Sequence, residues 1–224
     1  MTMGIDIIED FIPKGRRNRP GRANPMRYIT IHNTGNAAPG ADAKRHASYI
    51  KSDAAAGAPV SWHYTVDGHG AYQHLPDNED AFHCGDGAGA GNRQSIGIEI
   101  CMNQDGDLHK ATDKAIWLAA YLCRKHNIPL EHIVQHHRWS GKNCPQMLRA
   151  GKPFDWDAFI SKVKASLTTV SGKRPEEITV DAAIAAGIIT NRAHWVGVLT
   201  GDVKPVPAYI KMMMDNAYAK IEKR

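Results

Sequence analysis

Two stretches of strict alternation dominate the pattern of apolar and polar positions along the chain. In YITIHNT, Tyr28 to Thr34, the strand period places Ile29 and Ile31 on one face and Tyr28, Thr30 and His32 on the other. In SIGIEIC, beginning at Ser95, Ile96, Ile98 and Ile100 share a face and Glu99 turns to the opposite one, which also carries Gly97. HYTVD and AYQHL flank Gly68-His69-Gly70 and predict a hairpin. HIVQHH predicts a further strand ahead of the loop RWSGKN.

Helical spacing appears elsewhere. Asp42 is expected to cap a helix running to about Ser52, with Ala43, Ala47 and Ile50 on one side. A strongly apolar helix is expected from Ala111 to Asn127, closed by Asn127 and Pro129 and packed flat on the sheet. A short helix near Cys144-Pro145 and an amphipathic one from Asp155 to Leu167 complete the pattern. Residues 1–27, broken by Pro13, Pro20 and Pro25, are expected to be extended or irregular, and CGDGAGAGN a long glycine-rich loop. Strands alternate with helices around an embedded hairpin. This predicts an α/β domain with a mixed sheet and helices on both faces.

The pattern changes after residue 167. TTVSGKRP, residues 168–175, reads as a linker, and from Ile178 onward the chain reads as three short helices. The expected organisation is a domain at 1–167 and a small all-α domain at 176–224. Val206, Ile210, Met213, Ala217 and Ile221 form an apolar stripe that a small helical core would need. Binding to a cell wall or self-association is an additional use of such a surface.

Composition narrows the partners only a little. With 42% hydrophobic and 23% charged residues the chain can build a packed core. A net charge of +5 suits an anionic partner without choosing among nucleic acid, membrane surface and wall polymer. The basic cluster Lys14, Arg16, Arg17, Arg19 and Arg22 lacks interleaved aromatics and reads as a solvated loop, so no nucleic-acid partner is expected. No apolar run is long enough to span a bilayer, and the acidic N-terminus lacks the features of a signal peptide. Synthesis in the cytoplasm without membrane insertion is therefore expected. Four cysteines are too sparse for a disulfide framework. Cys101 and Cys123 sit in apolar stretches as inert thiols, and Cys84 is given no role.

The chemistry gathers at strand ends. His32 points away from the apolar side near the C-terminal end of its strand, where open α/β sheets keep their sites. Glu99, a carboxylate in an apolar strand, is costly unless paired or functional. VQHHRWSGKNCP offers His136 and, eight residues later across a loop, Cys144. The spacing and the strand alternation favour His136 over its neighbour His137. With His32 these make a three-ligand site with an open fourth position, which is the arrangement of a catalytic zinc, one per chain.

Five segments then carry a resemblance: YITIHNT, SWHYTVD (61–67), FHCGDG (82–87), SIGIEI (95–100) and VQHHRWSGKNCP (134–145). Over roughly residues 5–167 the chain resembles the type 2 N-acetylmuramoyl-L-alanine amidases, which include many phage endolysins and are related to the peptidoglycan recognition proteins. The resemblance implies a mixed sheet of about five to six strands flanked by helices, and His32, His136 and Cys144 as zinc ligands. It also implies Glu99 as the acid/base residue and Lys142 as a stabiliser of the transition state. Two positions depart from the family's pattern. Trp62 stands where some members have a catalytic Tyr, and an indole cannot exchange a proton there. Phe82 stands where Trp is common. Trp62 and His83 are expected to line a substrate groove, and the remaining histidines to be structural or on the surface.

The implied function is hydrolysis of the bond between N-acetylmuramic acid and L-alanine in bacterial peptidoglycan, with action on the wall after release, as in a phage or prophage endolysin. A host autolysis or sporulation enzyme and a wall-binding module without activity are the alternatives. The second would be marked by loss of the cysteine ligand, and Cys144 is present.

Overall fold

The computed structural model describes residues 5–169 together with Ile184 and Trp195. The linker expected from residue 168 starts too early, because Thr168 and Thr169 are still helical; its remaining residues, the apolar stripe and all of the expected helical segment but Ile184 and Trp195 lie outside the described residues. The chain divides into two compact units, the first ending at Thr169 and holding the whole of the sheet.

Six strands form that sheet: β1 (Ile7–Glu9), β2 (Tyr28–Asn33), β3 (Tyr64–Val66), β4 (Ala71–Gln73), β5 (Ser95–Ile100) and β6 (Ile133–Gln135). Their order is β1-β4-β3-β5-β2-β6. Only the β3–β4 hairpin is antiparallel, so the sheet is mixed as expected. The helices of this unit are α1 (Ala43–Ile50), α2 (Asp53–Ala56), α3 (Ala90–Gln94), α4 (Leu108–His126), α5 (His137–Ser140), α6 (Gln146–Arg149) and α7 (Trp156–Thr169).

The two alternating sequences become the centre of the sheet. Ile29, Ile31, Ile96, Ile98 and Ile100 are fully buried in one core with Ala115, Leu118, Ala119 and Leu122 of α4 and Phe159 and Val163 of α7. At roughly 1.5–3 kcal/mol for each fully buried isoleucine, this face fixes the register. A slip of one residue would turn every isoleucine away from α4 and α7 and drive Thr30, His32 and Glu99 into the apolar core.

α4 begins three residues earlier than its apolar run suggests, because the Asp107 side chain accepts a hydrogen bond from Lys110 N at 3.0 Å and caps it. It ends as expected at Asn127, which adopts the left-handed conformation at φ 55°. Asp42 likewise caps α1, accepting from Arg45 N at 2.7 Å.

Three expectations are corrected. The irregular N-terminal stretch contains β1, which borrows its ladder from β4. The glycine-rich loop contains α3, whose first turn is held by Asp86 accepting from Gly91 N at 2.7 Å and Asn92 N at 3.1 Å. The strand expected over HIVQHH stops at Gln135, and His136 already has helical backbone ahead of α5. The basic cluster is also less free than it reads. Arg16, Arg19 and Arg22 are tied to Asp53, Glu79 and Asp80 at 2.7, 2.7 and 2.6 Å. Among the described residues, no helix is long and apolar enough to cross a membrane.

Candidate metal centre

The parallel register of β2 with β5 sets His32 directly opposite Glu99, with both side chains on the face away from the isoleucines. On the other side of β2, β6 pairs with Ile29–Ile31, and the backbone N–H of His136 still reaches Ile31 O at 3.2 Å. The chain then turns through α5 and returns. His137 N donates to Cys144 O at 3.0 Å, which pins the two arms of the loop together. His32, His136 and Cys144 are thereby gathered with their donor atoms within 4.8 Å of one another.

All three are buried, and their spacing suits a common ion. The Nδ1 atoms of His32 and His136 lie 3.0 Å apart, and Cys144 Sγ lies 3.8 Å from His32 Nδ1. The far side of each ring explains its tautomer. His136 Nε2 is 2.9 Å from the carbonyl oxygen of Cys84, which can only accept, so Nε2 carries the proton and Nδ1 presents a bare lone pair. His32 Nε2 meets His83 Nδ1 at 2.9 Å. Donation from His32 leaves its own Nδ1 bare as well.

His83 is steadied in turn by Ser95 Oγ, 3.4 Å from its Nε2, and Ser95 donates to Gly91 O at 2.6 Å. Burial above all, with the neighbouring imidazoles, holds His32 and His83 well below the usual histidine range, so both stay neutral as metal ligation demands. Burial, followed by the Glu99 charge, pushes the Cys144 thiol up to about 11. A divalent cation at this point would reverse that shift, because a coordinating thiol loses its proton.

Glu99 is mostly buried, its side chain 14% exposed, and is pushed up to about 8, by burial first and against the pull of Lys142. Its Oε1 is 3.8 Å from His32 Nδ1, and among the described residues Oε2 is buried without a hydrogen-bond partner. Such an atom calls for a water, a cation or a substrate hydrogen. Lys142, exposed at the tip of the loop, lines the same cavity of about 1340 Å³ as Glu99, His32 and His136.

Trp62 and His83 also line this cavity. Trp62 is 7% exposed, packs with Ile12, Ile50, Leu75 and Ala81, and donates from Nε1 to Thr65 Oγ1 at 2.7 Å. At that exposure little of the ring is free to stack on a substrate. His83 supports His32 from behind, a role that reading it as a groove residue misses.

Cys84 is the second omission. It is fully buried, holds His136 through its carbonyl, and with His32 and His83 forms another cluster of potential donors. That cluster would spend the Nε2 atom of His32 and lies behind the ring, whereas the His32–His136–Cys144 group faces Glu99. No metal-ligand spacing announces Cys84; its place beside His83 in FHCGDG is the signal that points to it. Cys101 and Cys123 are buried away from the site, as expected.

A two-histidine, one-thiol donor set beside a carboxylate and a lysine in an open cavity is the equipment of a hydrolytic metal centre. Comparison with known proteins gives the family. Residues 22–147 match the family model described as N-acetylmuramoyl-L-alanine amidase. N-acetylmuramoyl-L-alanine amidase XlyA of Bacillus subtilis is 54% identical over 155 residues, covering 69% of this chain and 50% of that protein. N-acetylmuramoyl-L-alanine amidase CwlH of the same organism is 46% identical over 186 residues, covering 83% of this chain and 70% of that one. The solved catalytic domain of XlyA superposes with a TM-score of 0.67 at 52% identity, covering 71% of this chain and 99% of the domain. PlyL gives 0.64 at 35% identity, covering 71% and 97%. This chain belongs to the N-acetylmuramoyl-L-alanine amidase family. It spans about half the length of XlyA.

Proposed function

We propose that the protein hydrolyses the amide bond between N-acetylmuramic acid and L-alanine in bacterial peptidoglycan, with one zinc ion per chain. The observation that carries this is the convergence of His32, His136 and Cys144 on a cavity that Glu99 and Lys142 share. The donor set fits zinc: two neutral imidazoles with bare Nδ1 atoms and a thiol, in a site walled by second hydrogen-bonding partners. Bound there, zinc would supply Lewis acidity towards the amide carbonyl and the attacking water.

The chain's own residues do the rest. Glu99, with Oε2 unpartnered among the described residues, takes a proton from the attacking water and passes it to the leaving amine, which would otherwise be too basic to depart. Its raised affinity for protons suits both halves of that exchange near neutral pH. Lys142 places its ammonium where negative charge develops on the carbonyl oxygen, a contribution of about 3 kcal/mol by analogy with one oxyanion-hole donor. Trp62 has no proton to exchange, so a single acid/base residue serves both steps.

Digestion of purified sacculi tests the reading. Mass spectrometry should find free lactyl carboxyls on muramic acid and new L-alanine amino termini in equal amounts. New reducing ends with intact muramoyl peptides would overturn it. The relatives support the mode of action: XlyA and CwlH are named as amidases, and a structural neighbour at 52% identity is described as a mutant endolysin from Bacillus subtilis. We take this chain to act on the wall as an endolysin does. Residues 1–169 would be the catalytic unit, 170–175 a linker, and 176–224 a helical attachment or association element. Residues 1–169 alone should then cleave soluble muramoyl peptides as the full chain does, while lysing intact cells less well.

A further inference from the structure

The cavity wall facing the metal centre carries an arrangement that the hydrolytic chemistry does not use. Asp80 is fully buried, and two guanidinium groups converge on one of its oxygens. Arg22 Nε lies 2.6 Å from Asp80 Oδ2 and Arg93 Nε 3.6 Å from the same atom. The pairing with Arg22 is reinforced by the backbone. Arg22 N donates to Asp80 Oδ1 at 3.3 Å, and Asp80 N donates to Arg22 O at 2.9 Å.

Arg22 is anchored through Nε, the inner nitrogen, whereas Arg93 Nε reaches the same oxygen only at ion-pair distance and makes no hydrogen bond. Among the described residues their terminal nitrogens have no hydrogen-bond partner, although the side chains are 40% and 42% exposed and both line the cavity. The Arg22 guanidinium also lies over the Phe82 ring, 5.4 Å from its centroid, which fixes its plane. Two cations on one buried anion leave an excess positive charge. The surrounding wall does not cancel it: Arg45 and Lys142 line the same cavity, and Glu99 is the one carboxylate among its lining residues.

A guanidinium oriented through Nε presents its outer edge as a preformed fork for a carboxylate. We propose that Arg22 and Arg93, held by Asp80, form a clamp for a free carboxylate in the peptide part of the substrate. The clamp would set specificity for acidic over amidated stem peptides. It rests on the amidase reading of this cavity, since it assigns which end of the muramoyl peptide lies along this wall. The chain connects the clamp to the metal centre closely: Arg93 follows Asn92, whose Oδ1 accepts from the backbone N–H of His83 and Cys84, both at 2.8 Å.

The test uses the full zinc-loaded chain and two soluble muramoyl peptides. They are identical except that the residue after alanine bears either a free α-carboxylate or the corresponding carboxamide. The native protein should favour the acid in kcat/KM by on the order of tenfold or more, as expected for one charge-assisted hydrogen-bonded pair. R93Q should collapse that ratio towards one, through KM on the acidic peptide. R22K, which keeps the charge paired to Asp80 but loses the fork, should give an intermediate ratio. A native ratio near one, or variants that lower both substrates equally, would overturn the clamp, because a merely structural ion pair cannot distinguish the two peptides. If neither peptide is cleaved, the amidase reading has failed and calorimetric binding of the same pair decides the clamp: tighter binding of the acid supports it and equal affinity overturns it.

Discussion

Replacing Gly97 by alanine tests whether the support behind His32 matters. Gly97 lies in the middle of β5 on the face of Glu99, and a Cβ there would stand 2.7 Å from His83 Nδ1 and 2.8 Å from its Cε1. Ordinary contact begins near 3.4 Å, so the ring must retreat by about 0.7 Å. His83 Nδ1 is 2.9 Å from His32 Nε2, and a retreat of that size away from His32 would stretch the contact to about 3.6 Å, beyond hydrogen-bond range. Exchange of glycine for alanine within a strand would by itself gain roughly 0.5–1 kcal/mol, whereas overpacking costs about 1–3 kcal/mol. A net loss of about 1 kcal/mol is therefore expected.

The larger effect should be on the metal. Loss of a partner that orients a ligand histidine typically costs about 10–100-fold in metal affinity or activity. Competition with a chromophoric chelator would measure zinc affinity, and thermal unfolding of the metal-free protein would measure stability. G97A with native zinc affinity and an unchanged or higher Tm would refute the proposed role of His83.

The same geometry sets other outcomes. E99Q should lower turnover by at least about 10²–10⁴ while retaining zinc, and near-native turnover at full zinc content would assign the proton transfer elsewhere. Lys142→Ala should cost on the order of 10²-fold in kcat, a smaller loss than at Glu99. Metal analysis should find one zinc per chain, removable by a chelator with loss of hydrolysis and restored by zinc; active protein without zinc would contradict the site. Away from the cavity, burial alone would raise the Asp77 carboxyl, but hydrogen bonds from His126, Lys125 and Tyr64 outweigh it and hold the group well below the usual carboxylate range. Its stabilisation is present above the unfolded value of about 3.9 and is lost as pH falls below that towards the folded value. Denaturant midpoints measured from pH 5 to 3 should fall for the native chain, and D77N should flatten that dependence.

The legible parts of this protein are those in which one period does all the work. Ile29 and Ile31, like Ile96, Ile98 and Ile100, announce both the strand and its buried face, and so place His32 and Glu99 on the other. Asp42 and Asn127 announce helix ends through their own side-chain and backbone chemistry. The parts that are not legible depend on partners distant in sequence. β1 has three residues and exists because β4 lies beside it. α3 holds a glycine in a glycine-rich stretch, and Asp86 and Asn92 supply what local propensity does not. His83 reads as a groove residue because its contact with His32 crosses 51 positions of chain. Position 107 is a different lesson, since the aspartate cap is present in the sequence but stands four positions ahead of the apolar run.

The donors of the metal centre are spread unevenly along the chain. His136 and Cys144 face each other across a short turn, but His32 is 104 residues from one and 112 from the other. Closing a loop of that length in an open chain costs about 4 kcal/mol of entropy before any contact is made. A nascent or partly unfolded chain can therefore offer an ion two neighbouring ligands and solvent, but the third arrives only when β2 has slotted between β5 and β6. If the centre holds zinc as proposed, tight metal retention would be a certificate of completed topology. Helical content does not report the register of β2, so a refolded sample with a native-looking helix signal and weakly held zinc would be one in which the centre of the sheet has not closed.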